Sequence, residues 1–211
     1  KNQRYKTICV NNSNKIKIID QNLLPFQFKE VELNNLNAVI KAISTMQIRG
    51  APLIGITAAF GLFLSIKKSS KDKDIIESGK KLISTRPTAI NLKWAVEKMI
   101  YDILKFPSKE RQEASLNIAK KLSNDDVEIN EMIGKVGSKL ILDIFKKKKS
   151  TVNILTHCNA GWLATVDWGT ATAPIYKARD LNVPVHVWVD ETRPRNQGSF
   201  LTSWEFINEN I

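Results

Sequence analysis

Two short apolar strands, residues 152–155 and 183–189, begin about thirty residues apart with a helical stretch between them, which is the spacing of a parallel crossover unit. Both run into polar turns, Thr156-His157-Cys158-Asn159 after the first and Asp190 through Gln197 after the second. Parallel strands bring such turns to one carboxyl edge of a sheet, the edge at which open α/β folds bind ligands. Cys158 therefore stands where a ligand is expected.

A thiol reacts when its thiolate is stabilised, and a helix start behind it would do that with free backbone N–H groups. The sequence predicts such a helix over residues 165–178. Gly161 would let the backbone approach a ligand, Asn159 could donate to a developing oxyanion, and His157 could relay a proton. The competing reading makes Cys158 a small buried packing residue and His157 a strand-end side chain satisfied by backbone. His157 and Cys158 are adjacent, with no other Cys or His cluster, so no metal is expected; no cofactor is expected either.

The remainder of the 211 residues, 43% hydrophobic and 25% charged, suits one large domain or two small ones. Short β pieces occupy residues 7–10, 15–20 and 28–33. The pattern then turns helical over 36–43, 52–67, 73–83, 87–104, 109–122 and 127–145, with Asp125 or Asp126 capping the last helix. The run Lys146-Lys147-Lys148-Lys149-Ser150 has no apolar residue and marks a boundary. The expected class is α/β: a domain over 1–147, built of a β segment (1–33) and a helical bundle, then the first part of a Rossmann-like parallel-sheet domain over 150–211. A third strand is due where the chain ends at Ile211, so the second domain is expected to be cut short.

Two cysteines, Cys9 and Cys158, in unlike contexts suit a reducing cytoplasm. The net charge of +11 comes from lysines scattered over the helices, and no nucleic-acid surface is expected. The longest apolar run, residues 51–66, falls short of the roughly 20 residues of a bilayer span. It reads as a buried helix, with Gly55, Ala58 and Ala59 letting neighbours approach closely.

Arginines mark turns. Arg49-Gly50-Ala51-Pro52 at a helix start reads equally as a structural turn or an anion clamp, and Arg86-Pro87-Thr88 repeats the arrangement. Asp190-Glu191-Thr192-Arg193 reads as an internally paired turn, followed at a helix entrance by Gln197, whose amide suits a sugar hydroxyl.

Five stretches taken together are more specific: residues 46–55 (MQIRGAPLIG), 85–92 (TRPTAINL), 154–161 (ILTHCNAG), 166–171 (VDWGTA) and 189–198 (VDETRPRNQG). In this order they resemble the methylthioribose-1-phosphate isomerase family over nearly the whole chain. The resemblance implies conversion of 5-methylthioribose 1-phosphate to 5-methylthioribulose 1-phosphate in methionine salvage, by a homodimer. It implies catalysis at Cys158 and substrate contacts at Arg49, Gly50, Ala51, Arg86 and Gln197. The family's acid–base Asp and an Asn-Lys contact have no counterpart before Ile211, so little turnover is expected of these residues alone. Related alternatives are ribose-1,5-bisphosphate isomerase and the non-enzymatic regulatory subunits of a translation-initiation guanine-nucleotide exchange factor. Trp162, beside Gly161, favours a methylthio-binding wall.

Overall fold

The computed structural model describes residues 5–211, so the first four residues of the expected β segment lie outside the described part. The chain divides into two compact units. One comprises Ile8–Asn22 and Lys29–Asp125; the other gathers the segment ending at Thr7, Leu23–Phe28 and Asp126–Ile211.

The first of these units opens with an antiparallel sheet, β1 (Ile8–Val10), β2 (Ile16–Ile19) and β3 (Glu30–Leu33). Ile8 and Ile18 pair across β1 and β2 and are almost fully buried, while Lys17 faces Glu32 on the solvent side. Helix α1 (Leu36–Ser44) starts at Asn35, whose side chain accepts the Ala38 N–H at 2.9 Å. Helix α2 (Ala51–Ile66) is buried on every side from Leu53 onward, as a helix without a polar face must be. Its glycines mark where neighbours come closest: a Cβ on Gly55 would lie 2.9 Å from the Asn91 carbonyl, and one on Gly61 2.8 Å from Val39 Cγ1. Helices α3 (Asp72–Ser84) and α4 (Ile90–Ile103) complete the bundle with the first part of α5 (Arg111–Lys148).

Two helical expectations change here. The helix expected from residue 87 begins at Ile90, because Arg86, Pro87 and Thr88 form a turn closed by the Ala89 N–H on the Arg86 carbonyl. The helices expected over 109–122 and 127–145 are one continuous helix of 38 residues. Asp126 does not cap it: its carboxylate instead accepts the Val166 N–H at 2.8 Å and the Asn130 amide at 3.2 Å. Burial pushes the Asp126 pKa up against those hydrogen bonds.

In the other unit, β4 (Val152–His157) and β5 (Val185–Asp190) pair in parallel, Val152 opposite Val185 and His157 opposite Asp190. This is the expected α/β crossover. One sheet face carries Leu155 and Trp188, 67% and 59% exposed. The helix expected over 165–178 is shorter: a single 3₁₀ turn over Trp162–Ala164, an irregular stretch, and then α6 (Ala173–Asp180). Positive φ at Trp168 (70°) and Gly169 (76°) rules out a right-handed helix there, and Pro174 fits the first turn of α6. After β5 a π turn, Gly198–Thr202, leads into α7 (Ser203–Asn208).

Candidate active site

β4 delivers its last residue, His157, to the sheet edge and hands the chain to Cys158, which has φ 62°. A non-glycine residue keeps that left-handed conformation only where its surroundings hold it. Here they do. The Cys158 carbonyl accepts the Thr202 hydroxyl at 2.6 Å, and the Cys158 thiol donates to Gln197 Oε1 at 3.2 Å. Gln197 stands at the start of the π turn after β5, so the polar turns that end the two parallel strands meet through these side chains.

The turn that carries Gln197 is tied by Glu191. Its carboxylate accepts the N–H groups of Thr192 at 2.7 Å and Gly198 at 2.9 Å, and the Ser199 hydroxyl. These bonds, that from Ser199 foremost, hold the Glu191 carboxyl below its ordinary pKa. The paired turn expected over residues 190–193 is thus built by a carboxylate on backbone amides.

The loop behind Cys158 is organised by a residue the sequence did not single out. Glu205, on α7 and fully buried, directs Oε1 at Asn159 Nδ2 (2.7 Å) and Leu163 N (3.1 Å), and Oε2 at Trp162 N (2.9 Å) and the Tyr176 hydroxyl (2.8 Å). Burial raises its pKa to about 7 against the pull of all four donors. Tyr176 is held well above its usual value by burial and by the Glu205 charge.

This arrangement corrects four expectations. The backbone amides expected to stabilise the thiolate or an anion already serve Glu205. Asn159 directs its amide N–H groups at Thr202 and Glu205 rather than at an oxyanion. Gly161 makes room for a carboxylate of the chain itself, since a Cβ there would run into Glu205 Oε2. Trp162 is 5% exposed, its ring 5.9 Å from that of Trp204, so it packs inside rather than forming a presented wall. His157 is exposed at the strand end, Nδ1 3.9 Å from Asp190 Oδ2. The one local sign of Glu205 in the sequence is its place between Trp204 and Phe206, and nothing local points to the amides it serves.

In the other unit Arg49, Gly50 and Ala51 are contiguous at the start of α2. Gly50 is the N-cap residue with φ 90° and ψ 134°, a backbone state that glycine adopts without a Cβ clash. Arg49 is 9% exposed, and Arg86 is half-buried in the turn after α3. Among the described residues no group of three or more His, Cys, Asp or Glu side chains could hold a metal ion. Among those residues, too, no helix is long and apolar enough to cross a membrane.

The chain is 49% identical to the methylthioribose-1-phosphate isomerase of Gluconobacter oxydans (strain 621H), a match over 93% of this chain and 54% of that protein. It is 48% identical to the enzyme of the same name from Escherichia coli O45:K1, over 100% of this chain and 57% of that protein. The chain thus spans about half the length of the curated relatives it matches. Among solved structures, the 5-methylthioribose 1-phosphate isomerase of Pyrococcus horikoshii OT3 superposes with a TM-score of 0.84 at 33% identity, covering 98% of this chain and 58% of that one. The translation initiation factor eIF-2B subunit delta from A. fulgidus gives a TM-score of 0.82 at 35% identity, covering 98% and 60%. The model of the initiation factor 2 subunit family matches residues 47–211, and the chain belongs to that family.

Proposed function

We propose that the chain works as an aldose–ketose isomerase on 5-methylthioribose 1-phosphate, forming 5-methylthioribulose 1-phosphate. The observation that carries this reading is 48–49% identity to enzymes of that name over nearly all of the chain. In the reaction the sugar ring opens, the C2 hydroxyl becomes a carbonyl, and hydrogen passes from C2 to C1. Cys158 is the proposed catalytic residue, stabilising the transition state or moving a proton. Gln197, already bonded to its thiol, is proposed to contact the sugar. Arg49, Gly50, Ala51 and Arg86 are proposed substrate contacts, with the arginines and the amides at the start of α2 suited to phosphate. A homodimer in the cytoplasm is the proposed setting, and the division into residues 1–147 and 150–211 the proposed domain plan.

The test is turnover of 5-methylthioribose 1-phosphate by the native full-length protein beside Cys158→Ser. Removing a group that moves protons or stabilises charge should cost about 10²-fold or more in kcat. Absence of turnover in the native protein would overturn the reading.

A second reading, a regulatory subunit of a translation-initiation factor, is favoured by the likeness to the A. fulgidus protein. It predicts that Cys158→Ser leaves partner binding untouched and that the sugar phosphate is not consumed.

A further inference from the structure

We propose that Glu205 is a positioning residue for Cys158: its ionised carboxylate gathers the 159–163 loop and so fixes the thiol against Gln197, and protonation loosens that hold. The inference takes its catalytic meaning from the isomerase reading, but its geometry stands apart from it.

Glu205 links the two segments that meet at the thiol. On one side it binds Asn159, Trp162 and Leu163, in the loop that follows Cys158. On the other it belongs to the run from Gln197 through the π turn into α7, which also carries Thr202. Thr202 closes the link, since its hydroxyl oxygen accepts from Asn159 Nδ2 at 3.1 Å and donates to the Cys158 carbonyl at 2.6 Å. Cys158 is thus held in its left-handed backbone state from both sides, and Glu205 is the acceptor on which the loop converges.

The chemistry of the four donors makes the hold depend on charge. Asn159, Trp162 and Leu163 present N–H groups that cannot accept, whereas the Tyr176 hydroxyl can turn and accept. A proton on Glu205 is therefore accommodated at Oε2, facing Tyr176, and the Trp162 N–H loses its charged acceptor. The carboxyl titrates near neutrality, with a pKa of about 7, because burial outweighs the four bonds. The other ionisable groups facing this cluster are Cys158 itself, Tyr176 on α6, and the Arg179–Glu209 pair, with Arg179 Cζ 5.7 Å from the Tyr176 ring and also bonded to Asp180.

The experiment follows the backbone amides of Trp162 and Leu163, and the side-chain amide of Gln197, by ¹⁵N NMR from pH 5.5 to 8.5. It is done on the full chain in a Cys9→Ser background, with Cys158 alkylation by iodoacetamide measured alongside. One shared midpoint near pH 7 is expected, with Cys158 alkylating several-fold slower above it than the thiol titration followed below it would give, because the bond to Gln197 holds the protonated thiol. Glu205→Gln should remove the step. Tyr176→Phe, which deletes a donor to the carboxylate, should move it to higher pH, and this variant decides the matter if Glu205→Gln does not fold. If Trp162 and Leu163 titrate while Gln197 stays flat and alkylation follows one unbroken thiol titration, Glu205 is only a structural anchor and the proposal fails. It fails equally if no group titrates in this range. None of these readouts uses substrate, so loss of the isomerase reading would leave the result standing.

Discussion

The thiol of Cys158 donates to Gln197 Oε1 across 3.2 Å, joining turns that lie 39 residues apart in sequence. Parallel pairing of β4 and β5 brings these turns to one edge, and the side chains of Gln197 and Thr202 make the join, to the thiol and to the carbonyl of Cys158.

Removing the acceptor should free the thiol. A bond of this kind contributes up to about 1 kcal/mol, so Gln197→Ala should speed alkylation of Cys158 by about two- to fivefold at fixed pH. The measurement is the pseudo-first-order rate with iodoacetamide in the Cys9→Ser background, and an unchanged rate would show that Gln197 does not shield the thiol.

Glu205 should write a signature on stability. With its carboxyl near pH 7 in the folded chain and about 4.5 unfolded, the native state binds the extra proton between those values. The contribution is fully present below pH 4.5 and is lost as pH rises through 7, a swing of about 3 kcal/mol. The ionised carboxylate thus organises its loop locally at a cost to global stability. Urea titrations of the native chain and Glu205→Gln across pH 4.5–8 should diverge by that amount, and parallel curves would contradict it.

Gly161→Ala should be disruptive because its new methyl meets Glu205 Oε2. A loss of about 2–3 kcal/mol is expected from overpacking against a buried, fully bonded group. Combining it with Glu205→Ala should be markedly non-additive in a double-mutant cycle, and simple additivity would place the clash elsewhere.

Gly50→Ala tests the start of α2. A side chain at φ 90° should cost about 1–3 kcal/mol. Under the isomerase reading it should also raise KM more than it lowers kcat. A change confined to the denaturation midpoint would make the Arg49-Gly50-Ala51 segment a structural turn.

The crossover was legible because strand and helix periods differ and the polar turns punctuate them, although the strand expected from residue 183 begins only after Pro184, at Val185. The continuity of α5 was not, since Asp125 and Asp126 look like caps and the Asp126 partner, Val166, lies 40 residues away. The position of Cys158 could be read from the strand before it. Glu205 could not be read as its organiser, because a carboxylate that serves amides 42 and 43 residues earlier leaves no local pattern.

Gly161 has a practical corollary. The amides at residues 162 and 163, to which a designed anionic inhibitor would naturally be aimed, are already occupied by a counter-anion from the chain itself, seated in the space that glycine leaves open. Compounds directed at this edge of the sheet should therefore carry a neutral electrophile towards Cys158, since a second negative group would have to evict Glu205 before it could bind.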